Sequence, residues 1–162
     1  YENCRFDIMK VDIMRFLILH KHGGVYLDLD ISPKIDMLKE YPFASSTKII
    51  ENKKGKRKIY EIEVLQSESN NPAILQFLDY VKSEIERLNN IEIYKSWKAR
   101  YIMNATGPYC FTRFIKKHKI SIDEYKTNHC WVNRINGGGE YNLEGDEDFI
   151  SAPSASWFSK IN

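Results

Sequence analysis

Two aspartates separated by a single residue are the part of this sequence best suited to chemistry. Asp28 and Asp30 fall in the stretch 25–31, whose alternation predicts a β-strand with Tyr26, Asp28 and Asp30 on one face. The two aspartate Cα atoms would lie about 7 Å apart, next to a strand end, where α/β sheets commonly bind ligands. Paired carboxylates suit a hard divalent cation, which can bridge two phosphates and neutralise a departing diphosphate.

The surroundings of these aspartates give the pair its weight, because a bare Asp-x-Asp is common among solvated acids. Aspartate is poorly suited to a strand interior, yet two of them alternate here with apolar residues. An apolar helical stretch and the pair Gly23-Gly24 come directly before the strand.

A second pair of charges lies in the preceding helical stretch. Asp12 and Arg15 are three residues apart, so they are neighbours on one face of a helix that is otherwise mostly apolar. One interpretation is a partly buried structural ion pair. The other is a clamp for sugar hydroxyls, because a carboxylate accepts hydroxyl donors and a guanidinium supplies fixed donors.

The rest of the chain predicts the elements that must position these residues. A helix is expected over 4–20, apolar nearly all round towards its end and therefore buried, and Gly23-Gly24 ends it. Stretches 48–51 and 58–66 predict a hairpin, and 148–158 a short strand or a loop. Two further helices are expected, one after Asn71-Pro72 and one after Gly107-Pro108. The mixture predicts an α/β layered fold.

Composition excludes several classes of partner. The chain has 162 residues, the size of one domain, and a net charge of +2, which is too small to indicate nucleic acid. No apolar run approaches the roughly 20 residues that span a bilayer. The three cysteines are widely spaced, which indicates neither a disulfide framework nor a zinc site and favours a reducing compartment.

Residues 7–36 resemble the sugar-binding DXD region of glycosyltransferase family 32. The resemblance is carried by Asp12-x-x-Arg15, by Gly23-Gly24-x-Tyr26 and by Asp28-x-Asp30 at these spacings, and it extends to the donor site of the large clostridial glucosylating toxins. It implies a GT-A fold, a Rossmann-like α/β sheet, over 1–162. The family has a strand–helix unit upstream, so the chain is expected to lack that unit or to be trimmed of it.

The resemblance also implies a role for each motif residue. Asp12 and Arg15 would hold the donor sugar, and Tyr26 would shape its pocket. Asp28 would contact ribose and sugar, and the metal through water. Asp30 would ligate Mn²⁺ or Mg²⁺ directly.

Two stretches of the C-terminal portion, 104–162, resemble the family more loosely. Asn104–Pro108 resembles a "TGP" segment that opens a helix, and an ordinary helix start is the alternative. Ser156 and Trp157 resemble a terminal "SW" pair that would approach the diphosphate, and a core-capping Trp is the alternative. The family His that precedes this pair is missing from 151–154, and His129 lies too far back to replace it.

The function that the resemblance implies is metal-dependent transfer of a hexose from a UDP- or GDP-sugar to a glycan or protein acceptor, with retention of configuration. One alternative is a degenerate transferase that binds without turnover. Another is a haloacid-dehalogenase-type phosphatase with Asp28 as nucleophile and Asp30 as general acid. The cytoplasm is the favoured location, with the Golgi lumen as the alternative if an upstream anchor exists.

Overall fold

The computed structural model describes residues 2–28, 31–33, 41–52, 55–128 and 149–151. These residues form an α/β arrangement, as predicted. No helix within the described ranges is long and apolar enough to cross a membrane. In chain order the elements are α1 (Asp7–His22), β1 (Gly24–Leu27), β2 (Ile31–Pro33), β3 (Phe43–Asn52), β4 (Gly55–Ser67), α2 (Pro72–Asn89), α3 (Ile93–Ser96), α4 (Lys98–Ala105), α5 (Pro108–His118), β5 (Asp123–Asn128) and β6 (Phe149–Ser151).

The strands form one mixed sheet in the order β1-β4-β3-β5-β6-β2. β4 pairs antiparallel with both β1 and β3, and the β3–β4 pair is the predicted hairpin, longer at both ends than its alternation indicated. β3, β5 and β6 run parallel, and β2 is antiparallel to β6. β1 is therefore an edge strand of the described sheet, and Asp28 follows its last residue.

The first helix, α1, begins and ends close to the predicted bounds. Gly23 ends it with φ +66°, and its amide donates to the carbonyl of Leu19 at 2.7 Å; glycine adopts this conformation without steric cost. The expectation that α1 is buried nearly all round is wrong, because one stripe alone faces the interior. That stripe is Met9, Asp12, Arg15, Phe16 and Leu19. Four apolar side chains of the same helix are 39–47% exposed: Val11, Met14, Leu17 and Ile18.

The main core lies between the helices and the sheet. Phe16 of α1, Phe77 of α2 and Phe111 of α5 are each at most 1% exposed. Their ring centroids lie 4.5, 5.1 and 5.3 Å apart, and each such pair adds roughly 0.5–1.5 kcal/mol beyond the burial of its area. Ile62 and Leu65 of β4 complete the contact with the sheet. The core thus fixes α1, and with it the Asp12–Arg15 pair, against β4.

The predicted starts of α2 and α5 are confirmed. The side chain of Asn71 accepts a hydrogen bond from the amide of Ala73 at 3.0 Å, and Pro72 occupies the first turn. α5 begins at Pro108 directly after Gly107. Of the C-terminal expectations, a short strand is found at Phe149–Ser151, whereas 129–148 and 152–158 lie outside the described residues.

The prediction of a single strand over 25–31 is wrong, because this stretch contributes to two strands, β1 and β2. β1 ends at Leu27, whereas Ile31 begins β2 and pairs with Ser151 of β6. The amide of Ile31 also donates to the carbonyl of Asp28 at 3.0 Å, an i to i+3 bond that one extended strand does not make. Asp28 therefore lies at a break in the strand.

β4 carries a second irregularity beside this break. Its register with β3 passes from the pair Ser45–Leu65 to the pair Thr47–Tyr60, so residues 61–64 of β4 oppose a single residue of β3. A bulge of this kind leaves backbone groups outside the ladder. Those groups need other partners, because unpaired buried carbonyls are costly.

Candidate active site

Asp12 and Arg15 form a buried ion pair on the inner stripe of α1. Each is 5% exposed, and Nη2 of Arg15 donates to Oδ1 of Asp12 at 3.1 Å. The other carboxylate oxygen, Oδ2, accepts the hydroxyl of Thr106 at 2.7 Å. Both oxygens of Asp12 are thus bonded within the protein, and each keeps a second lone pair.

Burial determines the acidity of Asp12. Removal from water raises the pKa of this carboxyl from 3.8 to about 6, although Arg15 and the Thr106 hydroxyl both favour the charged form. Asp12 is therefore mostly ionised at pH 7, but it takes up a proton in mild acid.

The guanidinium of Arg15 joins α1 to the end of β1. Nη1 donates to Oδ1 of Asp28 at 3.1 Å and to the carbonyl of Ile62 at 2.6 Å. The Cζ atom also lies 4.8 Å from the centroid of the Tyr26 ring, within the range of a cation–π contact. Nε of Arg15 is buried and has no hydrogen-bond partner among the described residues.

Two backbone carbonyls of β4 accept hydrogen bonds from residues of this site. The carbonyl of Ile62 accepts from Arg15 at 2.6 Å, and the carbonyl of Glu63 accepts from the amide of Asp28 at 2.9 Å. These two carbonyls lie in the stretch that leaves the β3 ladder. The bond to Glu63 continues the β1–β4 register by one residue and fixes Asp28, whereas the carbonyl of Ile62 has Arg15 as its partner in place of a β3 amide.

Asp28 is the partly open member of the group. Its side chain is 34% exposed, and its Oδ1 accepts from Arg15 and from the hydroxyl of Tyr26, the latter at 2.8 Å. Burial raises the pKa of Tyr26 to about 12, so this phenol stays protonated and donates at neutral pH. The predicted neighbourhood of Tyr26 and Asp28 is thus present, although β1 ends between them.

Four of the five site residues predicted in the N-terminal motif come together in the structure. Asp12, Arg15, Tyr26 and Asp28 form one connected network. Three predicted site residues lie outside the described ranges: Asp30, Ser156 and Trp157.

The carboxylates of this network decide whether the site suits a divalent cation. The described residues contain no group of three His, Cys, Asp or Glu side chains that would enclose a metal. They do offer the partly exposed carboxylate of Asp28, and the network sets two carboxylates against one guanidinium. Mg²⁺ and similar ions keep several waters and bind through one or two carboxylates plus substrate phosphates, so this open oxygen site fits such an ion and not a closed structural metal.

Thr106 is the member of the network that the sequence did not reveal as a site residue. It lies in the segment 104–108, which resembles the family's "TGP" segment or an ordinary helix start and to which no site role was assigned. Its hydroxyl reaches Asp12 across 94 residues of chain. Two signals were available: the resemblance of Thr106-Gly107-Pro108 to the "TGP" segment, and the need of a buried aspartate for donors on both oxygens, of which Arg15 reaches one.

Comparison with known proteins supports the resemblance. Residues 1–54 match the family described as "Glycosyltransferase sugar-binding region containing DXD motif". The chain is 41% identical over 44 residues to inositol phosphoceramide mannosyltransferase 3 of Schizosaccharomyces pombe (strain 972 / ATCC 24843), a stretch that is 26% of this chain and 12% of that protein. The resemblance to DXD-containing glycosyltransferases is thus confirmed.

A solved structure shares the fold. The PaToxG glycosyltransferase matches with a TM-score of 0.51 and 19% identity, over 69% of this chain and 36% of that one. The expected α/β fold is confirmed, and it is that of a solved glycosyltransferase. This chain spans about a third of the solved chain and about an eighth of the mannosyltransferase.

Proposed function

We propose that this chain carries the donor-sugar site of a glycosyltransferase that moves a hexose from UDP or GDP to a glycan or protein acceptor. The observation that supports it is the network of Asp12, Arg15, Tyr26 and Asp28, which lies wholly within the matched residues 1–54. The carboxylate of Asp28 is partly open to solvent, whereas Asp12 and Arg15 are buried. A ligand would therefore bind a carboxylate that Arg15 and Tyr26 already hold in place.

In this proposal Asp28 makes the direct contact with the donor. Its carboxylate is one-third exposed and its orientation is fixed by Arg15 and Tyr26, so it can accept hydroxyl hydrogen bonds from ribose and sugar. Arg15 and Asp12 hold the donor sugar from the buried side of the site. The buried Nε–H of Arg15 has no partner among the described residues, so Nη1 and Nη2 alone hold the guanidinium to Asp28, Ile62 and Asp12.

Divalent metal belongs to the same proposal. Asp28 and Asp30 would hold Mn²⁺ or Mg²⁺, which supplies positive charge to a departing diphosphate. Ser156 and Trp157 would donate hydrogen bonds to the same diphosphate from a hydroxyl and an indole N–H. The protein's own contribution is to fix the sugar while its anomeric carbon gains oxocarbenium character. Retention of configuration is the expected stereochemical course.

Calorimetric titration tests the proposal. UDP, GDP and the corresponding hexose conjugates are titrated into this chain with and without Mn²⁺. We expect one nucleotide series to bind in a Mn²⁺-dependent manner, and Asp28→Asn to abolish this binding. The matched control is Asp7→Asn. The side chain of Asp7, at the start of α1, is 95% exposed, so this variant should bind as the wild type does.

Three outcomes would contradict the proposal. Absence of binding by every nucleotide-sugar, with and without metal, would remove the donor site. Undiminished binding by Asp28→Asn would remove the residue on which the site is built. Transfer of a phosphoryl group to Asp28 from a phosphomonoester would favour the phosphatase interpretation instead.

A further inference from the structure

The hydroxyl of Thr106 is built into the network from the far side of the fold. Thr106 is 1% exposed, follows the last residue of α4 and lies 2.7 Å from Oδ2 of Asp12. Asp12 belongs to α1, so this hydrogen bond joins the segment between α4 and α5 to the helix that carries Arg15. No other side chain in the described part of the chain donates to Oδ2 of Asp12 at hydrogen-bond distance.

The segment that carries Thr106 is itself held in place. Arg113 of α5 donates to the side-chain oxygen of Asn104 at 2.7 Å and to its carbonyl at 2.6 Å, and also to Glu84 of α2 at 2.7 Å. A Cβ on Gly107 would lie 2.9 Å from the Cα of Met103, so the backbones approach as closely as glycine permits. Thr106 therefore has little freedom to move away from Asp12.

Two planar groups connect Thr106 to Asp28: the carboxylate of Asp12 and the guanidinium of Arg15. A carboxylate with one donor on each oxygen cannot rotate freely, so Thr106 and Arg15 together fix the plane of Asp12. The guanidinium of Arg15 is also planar, with donors in a fixed fork. Its Nη2 is bonded to Asp12, and its Nη1 is then directed at Asp28 and Ile62.

We propose that Thr106 is a positioning residue for the donor site, acting through Asp12 and Arg15 on the exposed carboxylate of Asp28. The proposal rests on the proposed function, because it assigns Thr106 a share of that site's donor affinity. Thr106 itself touches neither substrate nor metal in this assignment. Its removal should weaken donor binding without removing any group that contacts the donor.

Variants at two buried threonines distinguish a positioning role of the Thr106 hydroxyl from a purely structural one. Thr106→Val keeps the shape and removes the hydroxyl, whereas Thr106→Ser keeps the hydroxyl. The matched control is Thr112→Val, because Thr112 is 0% exposed and bonds the backbone of Tyr60, at 2.8 Å to its amide and 3.3 Å to its carbonyl, away from Asp12. If Thr106→Val does not fold, Thr106→Ala takes its place, since it adds no methyl group against the carboxylate.

The measurement is the Kd of the Mn²⁺ complex of UDP-hexose or GDP-hexose by calorimetry, together with urea unfolding of each variant. We expect Thr106→Val to weaken binding about 10-fold, the size of one charge-assisted hydrogen bond. Thr106→Ser should bind within about 2-fold of the wild type. Thr112→Val should lose comparable stability and keep its affinity.

The failures of the two proposals are distinguishable. If the wild type binds and Thr106→Val binds equally well, or if Thr112→Val loses as much affinity, the positioning role is refuted and the donor site stands. If the wild type binds no nucleotide-sugar, the proposed function fails and the inference falls with it. If neither Thr106→Val nor Thr106→Ala folds, the hydroxyl is structural and the positioning role is refuted as well.

Discussion

Replacement of Arg15 by methionine should destabilise the protein in a way that depends on pH. Arg15 is 5% exposed, so the variant leaves Asp12 buried beside an apolar side chain and leaves the carbonyl of Ile62 without this donor. The unpaired carbonyl costs about 1–3 kcal/mol at any pH. Methionine retains most of the apolar contact that the arginine stem makes.

The ionisation of Asp12 adds the pH-dependent part. The folded pKa of Asp12, about 6, lies above its ordinary value of 3.8, so ionisation of Asp12 favours the unfolded chain and stability falls as the pH rises. Asp12 of the unfolded chain titrates alike in both proteins, so the comparison between them depends on the folded states alone. At pH 7, one unit above its pKa, ionisation lowers the free energy of the folded wild type by about 1.4 kcal/mol relative to the protonated form. Loss of Arg15 raises the folded pKa further, so the variant keeps Asp12 protonated at pH 7 and forgoes this gain. At pH 5 Asp12 is mostly protonated in both proteins. The total loss should therefore be about 2–4 kcal/mol at pH 7, and smaller by roughly 1.4 kcal/mol at pH 5.

Urea unfolding at pH 7 and at pH 5 measures both quantities. Arg87→Met is the matched control, because the side chain of Arg87 is 53% exposed and its buried partner Glu84 keeps a second ion pair with Arg113; its loss should stay below about 1 kcal/mol. A loss for Arg15→Met that is equal at the two pH values would refute the assignment of Asp12 as a partner held ionised by Arg15. A loss as small as that of Arg87→Met would refute the buried network.

Three further predictions concern the scaffold. Gly23→Ala should lower the free energy of unfolding by about 2 kcal/mol or more, because its Cβ would lie 2.8 Å from a backbone nitrogen, whereas Gly24→Ala, with nothing within 4 Å, should lose about 1 kcal/mol from its positive φ alone. Equal losses in urea would contradict the clash. Asn71→Ala should cost about 1 kcal/mol by removing the α2 cap, and an unchanged urea midpoint would count against it. Burial raises the pKa of Cys110 well above its ordinary value, so peptide mapping after alkylation of the folded protein should find Cys4 modified faster than Cys110; equal rates would show that the core opens.

Local sequence signals predicted the elements whose causes are local. Asn71 and Pro72 supply a cap and a fixed φ at a helix start, and both act within one turn. Gly23 is likewise read from its neighbours, because only glycine follows a helix so readily into positive φ. The hairpin was found because its two strands alternate in polarity and are adjacent in sequence.

Elements fixed by distant partners were not predicted. α4 has only 8 residues, so the spacing of its buried members, Tyr101, Ile102 and Ala105, covers a single turn and does not establish a helical period. β5 reads Asp-Glu-Tyr-Lys-Thr-Asn, which is too polar to indicate a strand, yet it pairs with β3 through its backbone. The contact of Thr106 with Asp12 spans 94 residues, so no periodicity can report it.

The two places where strand alternation failed both lie at the candidate site. The strand expected over 25–31 breaks at Asp28, and the β4 ladder is irregular over 61–64. A regular β3–β4 ladder would direct the carbonyl of Ile62 to a backbone amide, whereas here it accepts from Arg15. The bond from the amide of Asp28 to the carbonyl of Glu63 continues the β1–β4 register by one residue. The irregularity of β4 thus leaves a carbonyl for Arg15, and the same guanidinium binds the partly exposed carboxylate at the end of β1. Departures from local rules concentrate at functional sites because function requires the geometry that the rules disfavour, which is why the residue types of this site could be read from the sequence while its construction could not.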